Sequence, residues 1–444
     1  EYVQNARDAI NDAVNHGILG AITDGRISIT IDSAKRFIEI RDNGIGIPVE
    51  RVESVLLDIA DSNKDGESSA GQFGIGRLVG GYFCKKLSFR TTYKGEEFAS
   101  EIVFDIDKIK AILNDENDKR DATDVIDSAS SRNLYDENKD DHYFIVTLCN
   151  IDLQYPALLN KDIIADYLRE VAPVDYSAQF RNQLIMTSVS GEYEELQKNV
   201  GYFPISINGT AIEKRYGLRV VGTNDTINGL EYFSLKDDTY GLLAWGWYAL
   251  TDFTKAIPVS DTSSQFRLRK HNIQVGEARN RSEADMLTTY FPRNETRGNK
   301  YFYGEIHIAN QKIKLNSARD GLAPTPEAEC LKCLIRNFFD GLVKLYHLAN
   351  DTKKAVERYI DAYKIIQAPA TENIVNAQKQ LTDACKKLKS ITKSKNATNP
   401  VAQKVLESYK RRIKDLHTEM DQEIPCIPAS ELPISSPIPQ VEPE

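Results

Sequence analysis

The sequence predicts an α/β protein: a front portion with helices packed on one face of a mixed, mainly antiparallel sheet, then a second α/β portion and a helical arm. Three observations predict it. Short segments of alternating hydrophobicity recur up to about residue 325, separated by Gly and Asn turns. Glycine clusters stand where strand patterns give way to helical ones. After Pro324 and Pro326 the period lengthens to that of amphipathic helices.

With 444 residues the chain is too long for one ordinary core and divides into two or three domains. The expected boundaries are 1–170, 171–326, a helical bundle or coiled-coil arm at 327–423, and an extended proline-rich tail at 424–444. Fifty-six Lys and Arg against 65 Asp and Glu leave a net charge of -9, which argues against a surface wholly devoted to nucleic acid but allows a local basic patch. No membrane partner is expected, because the best apolar run, GLLAWGWYAL at 241–250, is far too short to span a bilayer. Six scattered cysteines and no visible signal peptide argue against a disulfide framework and for a reducing, cytoplasmic setting. Cys330 and Cys333 form a C-x-x-C without the second pair a zinc site needs, so they read as two buried thiols on a helix face.

The elements follow in order. EYVQNARDAINDAV places Val3, Ala6, Ile10, Ala13 and Val14 on one helical stripe that ends near His16 and Gly17. ISITID and FIEIRD alternate as strands, the second running into the turn DNGIGIP. GQFGIGRLVGGYFC opens a helix through Leu78, Val79 and Phe83. LSFRTTY, FASEIVFDI and YFIVTLCNI read as further strands, with a charged insertion from about Lys108 to Asp141. Short strand patterns then run from YFPISING to QKIKLN, and helices are expected at 352–366, 371–393 and 400–422 after a first long one.

The chemistry gathers near the front. Glu1, Asn5 and Asp8 occupy positions i, i+4 and i+7 of a helix and so share a face. A carboxylate, an amide oxygen and a second carboxylate suit a hydrated magnesium ion and a water to be activated, although a plain surface helix carries such residues too. The strand FIEIRD ends at Asp42, whose carboxylate accepts from an exocyclic amine, and Gly44 and Gly46 let a base lie against backbone. Glycines in GQFGIG at 71–76, ahead of a helix, leave N–H groups open to phosphates. Each piece alone is common; the three in this order point to a nucleotide.

EYVQNARDAI, DNGIGI and GQFGIGRLVGGYF resemble the three nucleotide-binding boxes of the GHKL ATPases: gyrase, heat-shock protein 90, histidine kinases and MutL. The SNK of ADSNKDG and the phenylalanine of GQFGIG are similar to the heat-shock protein 90 branch, with the MORC-like ATPases beside it. The resemblance implies the Bergerat fold, ATP with Mg2+, and slow hydrolysis. It assigns Glu1 as general base, Asn5 as the magnesium ligand, and Asp8 as support from the same face. Asp42 would bind the adenine amine, Gly44 and Gly46 would line the base pocket, and Gly71, Gln72, Phe73, Gly74 and Gly76 would contact phosphates, with Lys64 in the lid. In the family a segment usually precedes the first helix; here the numbering opens at its glutamate.

KIKLNSARDGLAP at 312–324 resembles the middle-domain loop of heat-shock protein 90, which makes Arg319 the arginine that reaches the γ-phosphate and Asn316 its support. Arg267 and Arg269 alternate onto one strand face, read as solvated, with phosphate or nucleic-acid contact as the other reading. One departure is that DDHYFIVTLCN lacks the Gly-Thr the family usually carries; Thr147 is the nearest substitute. The implied machine is a homodimeric clamp acting on a protein client or partner. The alternative is a MORC- or MutL-like nucleotide switch in a nucleic-acid processing or antiviral defence complex, with Lys386, Lys387, Lys389, Lys393 and Lys395 as its basic patch.

Overall fold

The computed structural model describes residues 1–57, 75–195, 201–222, 226–251, 256–258, 261, 263–276, 286–316, 320–367 and 374–419. They form two compact units. The first comprises Glu1–Leu250, Ile257–Tyr290 and Phe302–Ile335; the second comprises Thr251–Ala256, Phe291–Tyr301 and the described residues from Arg336 onward.

The first unit holds two sheets. Strands β1 (Ile27–Asp32), β2 (Phe37–Asp42), β3 (Lys86–Thr92), β4 (Phe98–Asp105), β5 (Ser130–Asp136), β6 (Tyr143–Cys149), β7 (Ile205–Ile207) and β8 (Thr210–Ala211) run in the order β5-β4-β3-β6-β2-β1-β7-β8. Every pairing is antiparallel except β1 with β7. Alternation decides which side is covered: Ile27, Ile29 and Ile31 are buried while Ser28 and Thr30 are exposed. Onto that side pack α1 (Tyr2–Asn15), α2 (Val52–Leu56), α3 (Ile106–Leu113), α4 (Ala122–Ala129) and α5 (Lys161–Val171), sharing one core with Leu87, Phe89, Phe104 and Val146. The stripe on α1 is the expected one, with Ala6, Ile10 and Ala13 buried. Removing Ile10 from water contributes roughly 2 kcal/mol.

One gap is filled and two expectations are corrected here. The charged insertion, left without elements by the sequence pattern, holds most of α3 and all of α4 and β5. Asp105 and Asp121 start these helices by accepting the Lys108 and Asp124 N–H groups, which is why so polar a stretch folds. YFPISING supplies β7 to this sheet rather than to the second, because Asn208 clasps β1 through the Ile31 N–H and carbonyl at 2.8 and 3.0 Å. IGRLVGGYF is a 3-10 helix, Ile75–Phe83, whose paired Gly80 and Gly81 do not favour an α-helix.

The second sheet has the order β12-β11-β13-β10-β9, from β9 (Ile227–Asp237), β10 (Gly241–Thr251), β11 (Gln265–Lys270), β12 (Ile273–Gln274) and β13 (Tyr303–Ile308). Tyr176, Trp247 and Tyr303 share a core with Phe180 and Leu184 of α6 (Ala178–Thr187). LRVVG and QKIKLN contribute only isolated bridges, at Arg219 and Leu315. Arg267 and Arg269 share a face as the alternation requires, but that face is buried, at 6% and 1% exposure, so the solvated reading is wrong. Glu170 and Glu305 compensate them, at 3.0 and 2.6 Å.

Helix α7 (Pro326–Gln367) is continuous where two segments were expected. Cys330 on it is half-buried and Cys333 exposed, so the pair are not two buried thiols; Cys84 and Cys149 are also free, and Cys385 is disulfide-bonded. In the second unit, the later part of α7 with α8 (Ile374–Thr392) and α9 (Pro400–Glu419) buries Val356, Tyr359, Ala384, Leu406 and Ile413. The Tyr359 hydroxyl meets His417 Nε2 at 2.7 Å. Among the described residues no helix is long and apolar enough to cross a membrane.

Candidate functional site

The site is built where β2 ends under α1. Asp42 closes β2 opposite Ile27 of β1 and Phe144 of β6, so its side chain is locked by strands on both sides. It is 4% exposed, and Oδ1 accepts the Gly44 N–H at 2.8 Å. Burial pushes its carboxyl up to about 7, against the lowering effects of that hydrogen bond and of Arg41. Among the described residues no other carboxyl on the N-terminal sheet is raised to that value.

The turn after Asp42 is held from several sides. Asn43 accepts the Arg26 N–H at 2.6 Å and donates to the Asp24 carbonyl at 3.0 Å. Ile45 N–H donates to the Ala9 carbonyl at 2.9 Å, joining the turn to α1. Gly44 is required because a Cβ there would strike Ala9, and Gly46, with φ +73°, because its Cβ would fall on the Thr92 carbonyl oxygen. The glycines thus allow backbone to pack against backbone before any base is present. Thr91 Oγ1 accepts the Ile47 N–H and donates to the Tyr143 carbonyl, both at 2.9 Å.

On α1, Glu1 is the exposed N-cap, Asn5 is half-buried and Asp8 is buried. One helix therefore carries all three, but the interior end of the row is different in kind. Asp8 is ion-paired with the buried Arg7 at 3.1 Å. The Tyr2 hydroxyl accepts the Gly80 N–H at 3.0 Å, fastening α1 to the 3-10 helix Ile75–Phe83, in which Gly76 lies. Lys64, Gly71, Gln72, Phe73, Gly74 and Arg319 lie outside the described residues. Asn316 Nδ2 donates to Asp320 at 2.6 Å and its Oδ1 accepts the Gly321 N–H at 3.3 Å.

Thr147 does not reach the site. It sits opposite Glu39, three residues along β2 from Asp42. The residue that does is His142, whose Nδ1 donates to the Gly44 carbonyl at 2.9 Å. His142 immediately precedes β6, whose second residue, Phe144, faces Asp42, so strand register was the signal that would have found it.

The donors fit a nucleotide and its metal. Glu1 and Asn5 offer oxygens, the preference of magnesium, and Asp42 is a buried acceptor at the end of a strand. A central mixed sheet with helices on one face and a nucleotide-type turn beside the first helix defines an α/β fold of the GHKL ATP-binding kind, followed by further α/β structure and C-terminal helices. Residues 1–132 match the family described as histidine kinase-, DNA gyrase B-, and HSP90-like ATPase, which supports the GHKL-type ATPase superfamily for this part of the chain. A comparison with curated proteins gave no match.

Proposed function

We propose that the chain is a magnesium-dependent ATPase in which ATP-driven lid closure and clamp dimerisation act on a protein partner, in the manner of heat-shock protein 90. The observation that carries this reading is the buried Asp42 at the end of β2, joined through Gly44 and Ala9 to the helix bearing Glu1 and Asn5. Asp42 accepts from the adenine amine, and the Gly44–Gly46 turn flanks the base. Asn5 holds the metal, which when bound neutralises phosphate charge. Glu1 takes the proton of the attacking water onto its carboxylate as the water oxygen bonds to the γ-phosphorus, and the bond from that phosphorus to the β,γ-bridging oxygen breaks, so that ADP leaves with its electron pair and inorganic phosphate forms. Arg319 supplies forked, charge-assisted contacts to the same phosphate. Phosphate release with and without magnesium tests the reading: hydrolysis is expected only with the metal, and metal-independent turnover contradicts it.

A second reading, a nucleotide switch in a nucleic-acid processing or defence complex, draws on the exposed Lys386, Lys389, Lys393 and Lys395 of the second unit. Lys387 of the same group is paired with Asp351 at 2.9 Å. Salt-dependent retention on DNA favours this reading, and its absence favours the clamp.

A further inference from the structure

A narrow cleft in the first unit lies outside the nucleotide elements. Its floor is Lys214, Arg267 and Arg269, all more than nine-tenths buried. Its mouth is Arg169 and Arg215, which share one carboxylate, Asp166, at 2.9 and 2.5 Å. Beneath the floor a single carboxylate serves two cations again: Glu305 accepts from Arg269 Nε at 2.6 Å and from Lys214 Nζ at 2.8 Å. Tyr176, Tyr216 and His307 complete its shell, but burial draws His307 down to about 4, so it adds no charge there. Arg267 meets Glu170 at 3.0 Å.

At the mouth two guanidiniums share one carboxylate, and beneath the floor Arg269 and Lys214 share another, so each of these carboxylates serves two cations. Burial first and Arg269 second lower the Lys214 ammonium to about 7. The void between floor and mouth is about 10 Å³, room for one water-sized atom. One oxygen of a tetrahedral anion fits there, with the rest of the group at the mouth, where the half-exposed Asp166 gives way.

We propose that this cleft is an oxyanion site that takes a phosphate group between Arg169, Arg215 and Arg267, with Asp166 holding the two mouth arginines while the site is vacant. The planar guanidinium fork matches phosphate oxygens in pairs, and Asp166 is the internal competitor. The phosphate is either free or part of a nucleic-acid backbone; the chemistry is the same.

The test titrates inorganic phosphate, and separately a short single-stranded DNA oligonucleotide, into the full chain by calorimetry at constant ionic strength set with chloride. Arg215→Ala is expected to weaken binding about tenfold and Asp166→Asn to strengthen it. Opposite responses cannot come from a folding defect, and phosphate bound at the nucleotide elements does not respond to either change. A response with inorganic phosphate alone assigns free phosphate; a response with the oligonucleotide as well assigns backbone phosphate. Equal affinity in the parent chain and both variants, or no binding beyond that of chloride, overturns the proposal.

Discussion

The imidazole of His142, the residue just before β6, holds the carbonyl of Gly44 at 2.9 Å, so the turn after Asp42 is fixed from a distant part of the chain as well as by its own glycines. A carbonyl only accepts, so Nδ1 carries a proton. His142→Ala removes one hydrogen bond and is expected to raise the nucleotide Kd by roughly threefold to tenfold, with kcat little changed. Calorimetry alongside steady-state kinetics separates the two; a fall in kcat at unchanged Kd contradicts a positioning role.

Glu1→Ala is expected to lower kcat by roughly a hundredfold or more while nucleotide affinity stays within a fewfold of the parent, because a general base acts on the water and not on the base or ribose. Single-turnover phosphate release is the measurement. Unchanged turnover sinks the assignment.

Asp42 makes a pH-dependent contribution to stability. Its folded value, about 7, lies above the ordinary 3.8, so the stabilising state is the protonated one and is lost as pH rises through 7. Asp42→Asn keeps the acceptor for the Gly44 N–H without the buried charge. The nucleotide-free variant should therefore be more stable than the parent at pH 8, by at most about 4 kcal/mol, with the gain shrinking toward pH 5. Denaturant unfolding at the two pH values reads this out, and a variant less stable at pH 8 contradicts it.

Glu305 is the opposite case. Burial opposes its ionisation, yet the charges of Arg269 and Lys214 and the hydrogen bond from His307 outweigh burial and hold its carboxyl well below the usual range. Stability from this group is present above the unfolded value and lost as pH falls through the folded one. Glu305→Gln leaves Arg269 and Lys214 buried without a counter-charge and is expected to cost about 3 to 5 kcal/mol at pH 7. A loss below 1 kcal/mol in urea unfolding would mean that the two cations do not depend on it.

What was legible in the sequence was whatever is local. Ile27, Ile29 and Ile31 alternate, Ala6, Ile10 and Ala13 recur at helical spacing, and Asp42 falls at the end of its strand as the pattern of FIEIRD requires. What was not legible is set by partners distant in the chain. Arg267 and Arg269 look solvated until Glu170 and Glu305 are placed beside them, 97 and 36 residues away. β7 joins β1 through Asn208, 177 residues from Ile31, and no periodicity announces that. His142 was passed over for Thr147 because chemical likeness was weighed where register decides: only the first stands next to the strand end that faces Asp42. The insertion around α3 and α4 was left without elements because charge hides short helices whose apolar residues, Ile106, Ile112, Val125 and Ile126, are few.

The central claim is that adenine is held by the buried carboxylate of Asp42, and calorimetric titration of a non-hydrolysable ATP analogue with magnesium tests it most directly. Saturable binding to the parent chain that is lost in Asp42→Asn, with the variant still folded, is the predicted result. No heat of association with the parent chain, or equal affinity in the two proteins, would contradict it.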